Sequence, residues 1–353
     1  MLFKDDAVAR KEHNALRQNV GWYRWTHDLV EFSGSGAGQL LDYLCVNSIA
    51  KAGVGQSKYT TMLDEKGKII DDVIVTRINE NDYWVSILYA PKLILRLAAL
   101  KGDLDVQYQE LTDQIDMYSI QGPNSLKMMN DLVDNSLDGL KHFTMEDTTI
   151  SEIPVKIHRG GFTGELGYEV YCKLADSKAV AAVIREIGDK FGAVEPTTLE
   201  VYVRSVPMEK GFALRQDLYG LTPYECGLDW SVDLSKDFVG KEALIRAQEE
   251  GLKNRLVGLE FEAESYEDIS QGEAVKRYGV QVGIVRAAIY GYTIDKNIGF
   301  AIVDAKVPFG ARVTVGCNDS PAIVTEKKMA LRRHEYEIGE QIHRCYGCLC
   351  GNW

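Results

Sequence analysis

From Leu256 onward the chain breaks into short apolar runs divided by glycines: residues 256–261 (LVGLEF), 281–290 (QVGIVRAAIY), 298–303 (IGFAIV) and 311–315 (ARVTV). Short strands closely spaced and joined by turns bury their apolar sides by folding onto one another, so this region predicts a small β-barrel or sandwich.

Upstream the pattern is mixed. Residues 38–51 (GQLLDYLCVNSIAK) carry apolar positions at helical spacing, and a turn at 64–67 leads into 68–78 (KIIDDVIVTRI), which reads as a strand. Residues 82–89 read as a second strand. Ala90-Pro91 opens a helix through Leu100, with Pro in the first turn and Gly102 beyond the end. Strands pairing around two helices suggest a ferredoxin-like α+β unit over 28–112. Further strands are expected at 116–121, 152–158 and 166–171, and helices after Gly122-Pro123, over 177–191 and from Lys241 to near Gly251. The division expected is 1–27 with 113–245 as a discontinuous central domain, 28–112, a barrel domain over 253–335, and a Cys-containing tail over 336–353.

The formal net charge of −12 over 353 residues argues against a polyanion-binding surface, so neither nucleic acid nor an anionic membrane is expected as a partner. No signal-like apolar core opens the chain, and no stretch reaches 18 consecutive apolar residues. A soluble, cytoplasmic protein is the expectation. Cys45, Cys172, Cys226 and Cys317 stand singly, as reduced thiols do. His343, Cys345, Cys348 and Cys350 crowd the end, but structural zinc sites usually draw ligands from two separated segments, so no metal is assigned.

Two places offer chemistry. Asp71 and Asp72 are adjacent on a strand, whose alternation sends them to opposite faces, so one faces the interior or a cleft. A carboxylate among Ile69, Ile70, Val73 and Ile74 is either a structural acceptor or a working group. Residues 159–169 (RGGFTGELGYE) hold four glycines, which permit tight turns and close backbone approach, followed by Glu169 on a strand. By itself this is equally a hairpin with a solvent-facing Glu.

In order along the chain, residues 59–72 (YTTMLDEKGKIIDD), 121–125 (QGPNS), 160–169 (GGFTGELGYE), 218–228 (LYGLTPYECGL) and 237–244 (DFVGKEAL) resemble the successive motifs of the glycine cleavage T-protein superfamily, a likeness spanning about residues 12–328. The resemblance implies a three-domain cloverleaf with tetrahydrofolate in its central channel. It implies that Asp71 lies against the reacting edge of the folate, that Tyr59 lines the channel, and that Phe162 packs on the pterin. Glu169 would accept from the pterin N–H groups, a row of donors that a carboxylate matches, and Arg204 would pair with the glutamate tail.

The one-carbon donor is less defined. T-proteins take an aminomethyl group from a lipoyl carrier protein, whereas relatives remove methyl groups from small-molecule donors. Only about eleven residues precede the segment 12–17 (EHNALR), and Leu88, followed by Tyr89, stands where T-proteins often carry Asn. Trp22, Tyr23, Trp25 and His27 cluster where they have Phe-Asp-x-Ser-His. An aromatic lining suits an apolar or cationic methyl donor. The expectation is therefore a tetrahydrofolate-dependent methyltransferase acting as a demethylase, with Asp71 and His27 catalytic and Trp22, Trp25, Leu88 and Tyr89 at the donor. Aminomethyl transfer and non-catalytic folate binding are the alternatives. Aryl-ether demethylases of this superfamily carry a His where this chain has Asp28, and the assembly-factor branch carries a Lys-Gly-Cys-Tyr motif where this chain has Lys210-Gly211-Phe212-Ala213.

Overall fold

The computed structural model describes residue 2 and residues 4–25, 27–262 and 269–327. The cysteine-rich end of the chain lies outside the described residues. Helix α1 (Ala7–Gln18) is capped by the Asp6 side chain and feeds β1 (Gly21–Trp25). A second unit follows as β2 (Asp28–Ser33), α2 (Ala37–Leu44), β3 (Ser57–Leu63), β4 (Ile69–Arg77), β5 (Tyr83–Ile87), α3 (Ala90–Leu100) and β6 (Gln107–Glu110). Its antiparallel sheet runs β3-β4-β5-β2-β6. Taken as β6-β2-β5-β4, that is the ferredoxin-like order, with β3 added at the edge.

The chain then returns to β1 with β7 (Ile115–Gln121), α4 (Ser125–Leu132), β8 (Met145–Ile150), β9 (Ile153–His158), β10 (Gly167–Lys173) and α5 (Ser177–Lys190). These strands form a second antiparallel sheet, β1-β7-β10-β9-β8. A π-helical turn (Val201–Ser205), α6 (Val206–Glu209), α7 (Arg215–Leu218) and α8 (Lys241–Glu250) lead on to the last unit. There β11 (Asn254–Phe261), β12 (Ala274–Arg277), β13 (Val280–Gly291), β14 (Lys296–Asp304), β15 (Arg312–Val315) and β16 (Ser320–Thr325) close into a six-stranded barrel. The barrel expected from the glycine-divided runs is present, filled by Val257, Leu259, Val285, Val303 and Val324.

One helix is shorter than its pattern. The apolar spacing over 38–51 predicts a single helix, but α2 stops at Leu44, and Cys45 turns extended to bridge Met62. The Asp42 carboxylate accepts from the backbone N–H of Ile49 at 2.5 Å and of Ala50 at 3.1 Å. A side chain that satisfies backbone donors in this way offers the chain an alternative to helix.

The central unit and the barrel are joined through one buried carboxylate. Glu209, fully buried at the end of α6, accepts from Arg17 Nη2 at 2.9 Å and Nε at 3.2 Å and sits 3.0 Å from His13 Nε2, both on α1. It also accepts from the backbone N–H and hydroxyl of Thr293, in the barrel connection between β13 and β14, at 2.8 and 2.7 Å. Arg17 reaches further, to Glu165 at 2.9 Å and the Thr163 carbonyl at 2.7 Å in the glycine-rich turn. Burial works against the charge on Glu209, but His13, Arg17 and the hydrogen bonds outweigh it and bring its pKa down to about 2.

Because that pKa lies below its unfolded value, the stabilisation Glu209 provides is complete above pH about 4.5 and is lost as pH falls towards 2. Glu209→Gln is expected to cost about 3–5 kcal/mol, the usual range for breaking a buried ion pair. Urea unfolding at pH 7 checks the magnitude, and acid titration of both proteins checks whether the variant loses less of its stability below pH 4.5.

Candidate active site

Alternation along the strands decides what faces the space between the two sheets. In the first, Tyr59 pairs with Ile74 and Thr61 with Asp72, so Tyr59 and Asp72 share a face, and the Tyr59 hydroxyl donates to Asp72 at 3.2 Å. Tyr59 stacks on Trp230, with centroids 5.8 Å apart. A bulge at Ile70 sets Asp71 opposite Met62. Asp71 is buried, accepts from the Asp72 N–H at 3.0 Å, and lies 3.3 Å from Nε of Arg215, which also donates to the Ile70 carbonyl.

Burial raises the Asp71 pKa and Arg215 restrains the rise. Asp72 is pushed up to about 7, first by burial and then by the like charge of Asp71. It keeps part of its surface open. Desolvation depends on the density of protein around the carboxyl as well as on residual contact with water, so a partly open group can still be strongly shifted.

In the second sheet, Tyr23, Ser119, Glu169 and His158 stand opposite one another across four strands, on one face. Glu169 lies 2.8 Å from His158 Nδ1 and accepts from the Tyr171 hydroxyl at 3.2 Å, both at Oε2. Burial opposes its charge, but His158, His27 and Tyr171 hold the carboxyl below its usual range. Tyr23 stacks on Tyr202 at 4.2 Å. Trp25 lies 6.2 Å from both Tyr202 and Phe162, and Phe162 lies 5.7 Å from Phe212.

The same residues link back to the first sheet. Arg204, in the π-helical turn with Tyr202, donates to Asp217 at 2.5 Å, and the charge of Asp217 bears on Asp72. Ring contacts thus run from Tyr202 through Trp25 and Phe162 to Phe212, while Arg204 in the same turn bonds Asp217, whose charge reaches Asp72. Phe162 and Arg204 lie among these residues, Tyr59 and Asp71 adjoin Asp72, and Glu169 stands on the same sheet face as Tyr23, whose ring stacks on Tyr202. A π-helical turn at such a point is a common mark of a functional site.

Other expected site residues fall elsewhere. Trp22 points to the opposite face of its sheet, is 3% exposed, and packs in the core against Tyr118 with Arg185 over its ring, so it cannot meet a donor. Leu88 and Tyr89 are 60% and 49% exposed, at the entry to α3, where the Tyr89 ring meets Lys92. Tyr89 is linked to the site through Lys92, whose charge acts on Asp71. His27 packs its Nε2 against the Ser86 hydroxyl, and burial lowers its pKa against the pull of Glu169 and Asp28. Asp28 accepts from the Ala90 N–H at 2.7 Å, a structural role at the start of α3.

Sequence reasoning missed Tyr202, Arg215, Asp217, Trp230 and His158. No spacing marks them, because they come from four separate segments: the π-helical turn, α7, the loop after it and β9. A separate cleft of about 400 Å3 between Lys66 and α8 holds none of the residues above. Among the described residues no group of three His, Cys, Asp or Glu is arranged to hold a metal, and no helix is long and apolar enough to cross a membrane.

Comparison with known proteins agrees with this architecture. Residues 3–236 match the GCVT N-terminal domain, and residues 254–329 match the glycine cleavage T-protein C-terminal barrel domain. The chain belongs to the glycine cleavage T-protein family, a family of tetrahydrofolate-dependent one-carbon transferases. It is similar to the aminomethyltransferase of Bacillus pumilus (strain SAFR-032), with 31% identity covering 84% of this chain and 82% of that protein. It is also similar to the aminomethyltransferase of Listeria monocytogenes serotype 4a (strain HCC23), with 32% identity covering 88% and 86%. The crystal structure of the glycine cleavage system aminomethyltransferase T from Bartonella henselae superposes with a TM-score of 0.82 over 92% of this chain and 90% of that one, at 23% identity, a likeness of fold.

The paired carboxyls make a direct prediction. Asp71→Asn removes the like charge beside Asp72, so the Asp72 carboxyl is expected to titrate below about 7 while burial keeps it above the ordinary aspartate range, which 13C NMR of labelled aspartate carboxyls can read. An unmoved midpoint would mean that Asp71 contributes nothing to the shift.

Proposed function

We propose that this chain transfers a one-carbon unit at the aminomethyl level to tetrahydrofolate, receiving it from a lipoyl carrier protein and releasing ammonia. The observation that carries this reading is similarity to aminomethyltransferases over more than four-fifths of both chains, joined to a cleft that keeps the polar groups such an acceptor needs. This reverses the preference for demethylation that the sequence suggested.

The residues present fit tetrahydrofolate. Arg204 Nη2 and Asp217 Oδ1 are buried with no hydrogen-bond partner, which leaves a donor and an acceptor at this point for a polar ligand to satisfy. The described contacts of Glu169 converge on Oε2, which leaves Oε1 for pterin N–H donors. Phe162, Trp25 and Tyr202 supply ring faces for stacking. When bound, tetrahydrofolate supplies a nucleophilic nitrogen. In this reading Asp71 steadies the positive charge that develops at the reacting nitrogens, Asp72 takes up or returns a proton near neutral pH, and the aromatic walls exclude water.

One observation favours a second reading. Leu88 and Tyr89 are exposed at the entry to α3, and Leu88 stands there in place of a polar Asn, which suits a small methyl donor. Incubation with tetrahydrofolate and aminomethylated lipoyl carrier is expected to release ammonia. Formation of 5-methyltetrahydrofolate from methoxyarenes, methylamines, betaines or sulfonium compounds, without ammonia from the carrier, would instead establish demethylation.

Within the proposed site, Asp71→Asn is expected to abolish turnover while largely sparing folate affinity. Glu169→Ala is expected to weaken folate binding by roughly 1.5–3 kcal/mol, the range for hydrogen bonds to a charged group. Calorimetric titration and steady-state assays separate the two effects.

A further inference from the structure

We propose that His158 is a positioning residue for acceptor binding: through Nδ1 it fixes one oxygen of Glu169, so that the carboxylate meets the ligand ionised and with its other oxygen free. The inference rests on the reading of Glu169 as the pterin acceptor.

His158 stands on β9 directly opposite Glu169 on β10, is 1% exposed, and places Nδ1 2.8 Å from Oε2. An ionised carboxylate only accepts hydrogen bonds, so Nδ1 carries the proton whatever the state of the rest of the ring. Nε2 is buried without a partner, and the ring meets Phe143 edge-on at 5.6 Å. Nothing on that side competes for the imidazole, so its only polar anchor among the described contacts is Glu169.

The backbone is shaped around this ring. A Cβ on Gly160 would lie 2.5 Å from His158 Cε1 and 2.9 Å from Nδ1, so only glycine there leaves room for the imidazole in this pose. Part of the glycine-rich turn therefore serves to seat a histidine. The groups bearing on the pair are also arranged to keep Glu169 charged. His27 acts on it across the cleft, and Tyr171 donates to Oε2 from two residues along. Arg159 and His142 flank His158, and Tyr23 is the neighbouring acidic group on the same face.

Removing the Nδ1–H leaves a buried carboxylate with one fewer donor. Its pKa rises, and its capacity to accept from a ligand is lost as pH falls through the raised value. A role in packing alone would weaken binding equally at every pH.

Two polar substitutions separate these cases. In His158→Asn the side-chain amide occupies the Nδ1 position, whereas in His158→Gln it lies near the Nε2 position. Binding of 5-formyltetrahydrofolate is measured by calorimetry between pH 5.5 and 7.5, with thermal unfolding as a check on folding. The wild type and His158→Asn are expected to agree within about threefold and to show matching pH profiles. His158→Gln is expected to bind at least tenfold more weakly at pH 5.5 and to recover as pH rises. Equal affinity and profile in both variants, or equal loss in both at every pH, overturns the proposal. No binding by the wild type overturns the underlying assignment of the pterin site instead.

Discussion

The Glu209 carboxylate ties the central unit of the molecule to the barrel. It gathers donors from α1 and from the barrel connection, while Arg17 carries the same network into the glycine-rich turn. A buried ion pair costs desolvation on both partners and adds little net stability by itself. Its effect here is geometric, because an unpaired charge at this depth is so costly that any shift of the barrel against α1 is resisted. The barrel shares no strand with either sheet, so its position against the rest of the chain depends on such contacts and on the apolar cluster that includes Leu16, Val206, Leu244, Tyr290 and Phe300.

Between the two sheets the governing constraint is the two-residue repeat of the strand. Leu29, Trp84, Leu111, Met117 and Tyr171 close one end of the space with apolar contact, and polar and aromatic residues occupy the same faces further along. Trp22 and Tyr23 illustrate how sharply the repeat divides roles. Adjacent in sequence and both aromatic, one fills the core behind its sheet and the other stacks on Tyr202 in the cleft. An aromatic cluster counted along the sequence cannot make that division until strand and register are known.

What the sequence made legible was the local grammar: the proline and glycine that bracket α3, the alternation through Asp71 and Asp72, and the glycine-divided strands of the barrel. The ordered motifs carried the family and the fold. They did not carry the end of α2, which is set by Asp42 reaching forward seven residues, or the partners Arg215 and Asp217 on α7 and His158 on β9, which reach the site from outside the matched positions. The glycines of residues 160–167 were read as permitting close backbone approach. In the structure they make room for side chains: a Cβ on Gly161 or Gly167 would lie 2.2 or 2.1 Å from the buried Gln121 amide. Such a requirement concerns two distant segments and leaves no local trace.

The carboxyl groups around the cleft are driven in opposite directions by their settings. Glu169 is surrounded by His158, His27 and the Tyr171 hydroxyl, all of which favour the charged form, and is held below the usual range despite burial. Asp72 has one hydroxyl donor and two neighbouring aspartates, and burial takes it up to about 7. Environments that push like groups apart are how one site supports both fixed recognition and proton movement. A carboxylate that stays ionised across the working pH range suits a row of permanent donors, and a carboxyl poised near neutrality suits a group that gains and loses a proton within each cycle. Arg215 preserves this division by bonding Asp71: without that cation, two adjacent buried aspartates would compete for a single charge, and neither would have a defined role.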